Sequence, residues 1–398
     1  MLLGLLAVAA GLAVGLMTAG YLWLADALVE GVWIDLPDAL DIDSRWYTLA
    51  VCTAGGVAIG LGQRFGGDHP GLLDELLSDA EGSPTLQIGL LPRSLYMLLV
   101  SIAAGAALGP ELGLVVVAGT IGLELARRIR DAEARAVARD VAIAGVFSAA
   151  FLSPLGGAAT ANEEPGATTF PRAGRVALAV VAGIAAVVGI ALVPTSGLLV
   201  DADWPAYSPP RDGTDALLAV PLGLVGMLLA LAYGRAEHTL RAMRPRLGVV
   251  GLPAVVAGVV LGLAGAWSDL MLFSGQEGIG ELAETISSRS AGELAALGVG
   301  KLLLVALLLG AGWKGGHFYP MLFVAAAFGL CVSAFAGAVE PVVGVAAVSA
   351  GALTAVLGRV VAGALLVLLV VPASSLGVAA VAAVVVHLAL RMAKRTAS

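Results

Sequence analysis

Between Ser94 and Leu123 the chain carries one charge, Glu111, set behind Gly109 and Pro110 in an otherwise apolar run. A carboxylate near the centre of a bilayer costs ~2.5 kcal/mol or more on insertion scales, so intramembrane acids mark ion or proton pathways. Gly and Pro precede an apolar run in two further places, GGDHP at 66–70 and GGHFYP at 315–320. Each of the three could open a half-helix. A helix N-terminus carries roughly half a positive charge and several unpaired N–H donors, so it holds an anion without a buried Lys or Arg. Three such ends turned inward would make an anion path. Glu111 at one of them would compete with an anion when ionised and withdraw when protonated, coupling the two movements by mutual exclusion. The plainer readings are that Gly and Pro cap or kink membrane helices and that Glu111 caps a helix at the membrane surface.

Other reactive side chains are few. Glu163 and Glu164 end an apolar segment before Pro165, where they could cap a helix in solvent or relay a proton. His69, His317 and His387 lie at or near the Gly/Pro motifs or the last apolar run, and imidazole could supply donors whose charge follows pH. Lys301 sits inside an apolar run and Lys314 near GGHFYP; either could add positive potential to the pore or pair with an acid such as Glu277 or Glu293, and pairing is the expectation for Lys301. Cys52 and Cys331 are two thiols in apolar runs without pairing or metal-ligand spacing. No HExxH pair, Walker-type loop or serine-nucleophile motif occurs, so neither metal-dependent proteolysis nor covalent chemistry is expected, and no cofactor.

The elements that must position these residues are membrane helices. Of 398 residues 59% are hydrophobic and 13% charged, and mean hydropathy is +0.96, more apolar surface than one water-soluble core can bury. The apolar runs are helix-length rather than alternating, which makes a helical bundle and excludes a barrel. They fall near 1–29, 46–62, 87–108, 112–126, 139–152, 174–199, 214–233, 247–266, 294–311, 318–337, 341–358, 360–371 and 375–390. Several are shorter than a span, so broken helices lining an enclosed cavity are expected. The start lacks a basic region and a cleavage site and reads as a retained helix. Residues 200–215 hold four Asp and one Arg, whereas 235–246 hold four Arg and one Glu. The positive-inside rule then puts 235–246 and the basic C-terminus in the cytoplasm. Net charge of −7 without a basic, aromatic-rich patch gives no sign of nucleic acid.

Offset by about 207 residues, GAALGPELGLVVVAGTIG (105–122) lies over GWKGGHFYPMLFVAAAFG (312–329), matching Gly105, Gly109 and Gly122 to Gly312, Gly316 and Gly329. GGDHPGLL (66–73) lies over SGQEGIGE (274–281) in a similar register. Paired interrupted segments in two halves point to a transport site at the repeat interface.

GPELGLVVVAGTIG resembles the GREGP segment of the CLC chloride channel and transporter family, and GGHFYPML resembles its GxFxP segment. Between them, FLSPLGGAATANEEP (151–165) is similar to that family's F-N-A-P-L-A-G stretch and glutamate pair. The resemblance implies one domain over 1–398, an all-α integral membrane bundle of broken, tilted helices in two inverted repeats. These would cover about 46–199 and 214–371, with a final helix at 375–396. It implies a homodimer with one pore per subunit, moving chloride or another monovalent anion in exchange for protons across the cell membrane. Glu111 takes the gating position and Glu164 the inner proton relay. Anion contacts fall to Gly67, Gly109, Pro110, Gly316, His317, Phe318 and Tyr319. GGDHP places Gly67 where the family's GSGIP has its coordinating Ser, and Val384 or Val385 stands at the last-helix Tyr, which leaves backbone N–H groups, for example those of Phe318 and Tyr319, to serve instead. With Ser398 just after the last helix, no soluble regulatory domain is expected. A passive anion channel, a fluoride exchanger and a non-transporting scaffold are the alternatives.

Overall fold

The computed structural model describes residues 2–42, 45–71, 87–150, 153–155, 171–193, 202, 204–210, 213–247, 249–286 and 288–397. Fourteen helices carry the architecture among them: α1 Leu2–Glu30, α2 Arg45–Gly66, α3 Leu91–Ala103, α4 Glu111–Arg127, α5 Ala132–Ala150, α6 Arg172–Ala191, α7 Thr214–Met243, α8 Leu252–Trp267, α9 Gln276–Glu284, α10 Ala291–Ala311, α11 Phe318–Ala336, α12 Pro341–Leu357, α13 Val360–Leu366 and α14 Leu376–Ala397. A π-helical turn at Gly31–Asp35 and a short helix at Leu36–Leu40 prolong α1 beyond its expected end near residue 29.

Among the described residues, six helical stretches are long and apolar enough to cross a membrane, and six shorter apolar helices accompany them, α4, α8 and α12 included. Leu5, Leu228, Leu263, Leu303 and Phe335 are exposed on the outside of the bundle, as lipid requires and water would not favour. At the centre lies α11, in which every residue from Phe318 through Ala327 is buried. A helix apolar on all sides belongs in that position.

Small residues bring the helix backbones together. A Cβ on Gly226 of α7 would stand 2.0 Å from the Val348 carbonyl oxygen of α12, and one on Gly351 of α12 would stand 2.1 Å from that of Gly223. The same device joins α1 to α6, where Gly15 faces the Ala186 carbonyl. In lipid, where apolar surface alone does not drive association, such close approach supplies the packing. Asp215 in the first turn and Arg241 in the last put opposite charges at the two ends of α7, whose 30 residues span about 45 Å at 1.5 Å each.

Candidate functional site

Two of the three Gly/Pro motifs open helices, α4 at Glu111 and α11 at Phe318. Beyond the third, residues 72–86 lie outside the described residues. The two helix starts meet directly. Gly109 and Gly316 form an isolated antiparallel bridge, each N–H donating to the other's carbonyl at 2.8 Å. Glu111 is fully buried, and its Oε1 accepts the N–H of Phe318 at 2.7 Å. Both pairs are 207 residues apart, the offset at which the two halves align. The matched Gly105 and Gly312 both take left-handed φ, +75° and +91°, which only glycine adopts at little cost.

The close approach of the two starts accounts for glycine on both sides of the carboxyl group. A Cβ at Gly109 would lie 1.9 Å from Glu111 Oε2, and one at Gly316 would lie 2.1 Å from Oε1. Pro110 and His317 are the residues before the first turns, their carbonyls accepting from Leu114 and Met321. Pro320 has no N–H, so the first turn of α11 offers the N–H groups of Phe318 and Tyr319 inward. No side chain caps α11; instead its positive end meets a carboxylate from another helix. Oε2 of Glu111 is buried without a hydrogen-bond partner.

The predicted set Gly109, Pro110, Glu111, Gly316, His317, Phe318 and Tyr319 is therefore assembled in one place, with the side chains directed differently. Tyr319 is buried and donates its hydroxyl to the Ala150 carbonyl of α5 at 3.0 Å. His317 is buried and stacks on Tyr233 of α7 with centroids 5.2 Å apart. Gly67 is exposed and φ +85°, with His69 its nearest neighbour; it is not part of this buried group. His387 is partly exposed on α14, and Val384 is exposed there. Glu163 and Glu164 lie outside the described residues.

One residue of the site goes unread in the sequence. Tyr21 of α1 is buried, its hydroxyl without a partner, and a Cβ on Gly113 would stand 2.1 Å from that oxygen. The hydroxyl thus overlies the first turn of α4. The only sequence signal is one phenol in an apolar helix.

Lys301 corrects an expectation. Its fully buried ammonium donates to no acid but to the carbonyls of Leu270, Leu272 and Phe273, at 3.0, 2.7 and 2.7 Å, and lies 5.3 Å from the centre of the Phe323 ring. Between α8 and α9 the chain makes only a single 3-10 turn, Asp269–Met271, so the carbonyls of Leu270, Leu272 and Phe273 need donors that lipid lacks. That segment in turn holds the loop before α4, Phe273 N–H donating to Gly105 O at 3.1 Å. A cavity of about 700 Å³ opens beside it, lined by Leu108 and Pro110 together with Asp26, Glu30, Asp269 and Glu277.

A cationic mouth borders the start of α11. Lys314 Nζ pairs with Asp68 Oδ1 at 2.8 Å and Arg244 with Asp68 Oδ2 at 2.7 Å. Ser101 Oγ accepts the Lys314 N–H at 3.0 Å, and Gln63 donates to the carbonyls of Ala311 and Gly312. Burial pushes the Asp68 carboxyl up, but Lys314 and Arg244 overcome this and hold it below the usual carboxylate range.

The Voltage gated chloride channel family model matches residues 55–391. The curated protein YfeO, named as an ion-transport protein, is 27% identical in an Escherichia coli strain and 28% in Shigella flexneri, over 83% of this chain and 78% of theirs. A slow cyanobacterial Cl−/H+ antiporter superimposes with TM-score 0.80 over 99% of this chain and 97% of its own, at 19% identity. A CLC-type fluoride/proton antiporter gives 0.72 over 97% and 94%, at 16%. At those identities the structures establish the fold alone. With most of its length matched by the family model, the chain belongs to the voltage-gated chloride channel family, a family of multi-pass membrane ion transporters.

Proposed function

We propose that this family member exchanges a monovalent anion, chloride before others, for protons, and that Glu111 is its gate. The observation that carries the reading is the buried Glu111 carboxylate on the N–H of Phe318, between two glycines that leave room for nothing larger than hydrogen. Its oxygens stand where an anion would, drawn by the positive ends of α4 and α11.

With Glu111 ionised and in place, the path is closed. An arriving anion competes for the same donors, and protonation releases the carboxyl by removing its charge. Pro110 and Leu108 border the acidic cavity, so a released side chain has a wet space at hand in which to exchange its proton. Glu164 passes protons on the other side in this reading, which rests on the family motif. Donors to the anion are backbone N–H groups, since the Tyr319 hydroxyl is engaged at Ala150. The match of Gly105, Gly109 and Glu111 to Gly312, Gly316 and Phe318 in space supports two inverted repeats meeting at this point. A homodimer with a cytoplasmic C-terminus completes the reading; light scattering on purified protein would give two chains per particle.

Chloride and fluoride efflux from proteoliposomes tests it. The parent should carry chloride faster than fluoride; fluoride faster than chloride would shift the reading to a fluoride exchanger. Unchanged flux in Glu111→Gln would remove Glu111 from the mechanism.

A further inference from the structure

The pairing of Asp68 repeats, at the cationic mouth, the relation of Glu111 to the helix ends. We propose that Lys314 and Arg244 form a second site for a small inorganic anion, and that the Asp68 carboxylate is its tethered occupant, displaced when an anion enters. This rests on the anion-transport reading and adds to it a second carboxylate that an ion must replace.

Burial sets the two roles. The Lys314 side chain is 5% exposed and that of Arg244 20%, whereas that of Asp68 is 44% exposed. The cations are thus fixed within the protein, and the acid reaches them from the solvent side. A buried ammonium needs a counter-charge. Asp68 supplies it in this structure, and a free anion would supply it equally. Asp68 can leave into water without burying its charge elsewhere. It sits on a loop whose Gly67 has φ +85°, and it borders a cleft of about 450 Å³ that is also lined by Arg241 and Arg244. Arg241 and Arg244 both act on Lys314 as like charges, which adds to the positive potential at the cleft.

The site lies on the route to the gate. Lys314 is four residues before Phe318, and its backbone is pinned by Ser101. Asp68 on the Lys314 side chain and Glu111 on the Phe318 N–H therefore occupy the two ends of one five-residue segment, each holding a place that an anion could take. Charge-assisted pairing at 2.7–2.8 Å makes the displacement costly, which lowers apparent anion affinity by the fraction of molecules in which Asp68 has let go.

Chloride binding to the purified, detergent-solubilised full chain, read by titration calorimetry at constant ionic strength with gluconate as balance, tests this without requiring flux. Asp68→Asn should bind chloride roughly tenfold more tightly than the parent, as for a competitor seated in about nine molecules of ten. Asp68→Glu should restore the parent's affinity, and Lys314→Met should weaken it. Unchanged or weaker chloride binding in a folded Asp68→Asn variant would overturn the proposal. Should that variant not fold, Arg244→Gln decides: weaker chloride binding supports the site, unchanged binding removes it. Absence of any anion flux in the parent would count against the transport reading, whereas unaltered binding in these variants counts against this one.

Discussion

At the scale of single residues, the site is defined by what glycine permits. A Cβ at position 316 would stand 2.0 Å from Glu111 Cδ. Gly316→Ala should therefore drive the carboxylate out of its seat, with about 1–3 kcal/mol of overpacking if it stays. Faster anion efflux and weaker proton coupling are expected of that variant in proteoliposomes, from a fold that still purifies; unchanged coupling would show that the carboxyl does not act from this position. Asp68 gives a pH signature. Its folded-state carboxyl is held below the usual range, so the pair contributes stability above the ordinary value of ~3.9 and loses it as pH falls through the lower folded value. The melting-temperature difference between parent and Asp68→Asn should be full above about pH 5 and shrink toward acid. A difference that grows toward acid would contradict the pairing.

Glu111 was legible in the sequence because a lone charge in a long apolar run has few inexpensive explanations, and the flanking Gly109 and Pro110 marked its helix start. Asp68 was not: an acid beside a histidine in a Gly-rich loop looks solvated until Lys314 and Arg244, far away in sequence, close on it. Lys301 misled for the opposite reason. A lone lysine inside an apolar run suggests an acid partner, but only the interrupted backbone at 268–275 shows that carbonyls need it more.

At the scale of elements, that lysine holds the interrupted segment which in turn braces the loop before α4. Replacing it by Met leaves three carbonyls without their donor, two of them on the buried Leu270 and Leu272, so the loss should be about 3 kcal/mol or more. Thermal unfolding of detergent-solubilised Lys301→Met should show it, and a melting temperature equal to the parent's would mean that the carbonyls find other donors. The short helices were foreseeable where the apolar run was too brief to span, as 112–126 is for α4 and 360–371 for α13, but the 20-residue run at 247–266 gives only the 16 residues of α8. Their ends were less so: α1 continues past residue 30 and α5 starts at Ala132, seven residues before the apolar run, because helix bonding continues through charged turns that hydropathy does not count.

For the whole molecule, composition and helix-length apolar runs were enough to name a membrane bundle, and the ordered motifs enough to name its family. The orientation rests on charge at the two ends of α7. In a chain with Cys52 and Cys331 replaced by Ala, Ser208→Cys in intact cells should react with an impermeant maleimide added outside, and His238→Cys should react only after lysis. The reverse pattern would invert the topology and exchange inner and outer mouths.

The proposal that one buried carboxylate couples anion and proton movement is tested most directly by chloride-driven proton uptake into proteoliposomes, with parent and Glu111→Gln side by side. Protons should move with chloride in the parent, whereas the variant should pass chloride with proton movement at background. Proton uptake that survives the loss of the Glu111 charge would contradict the gate.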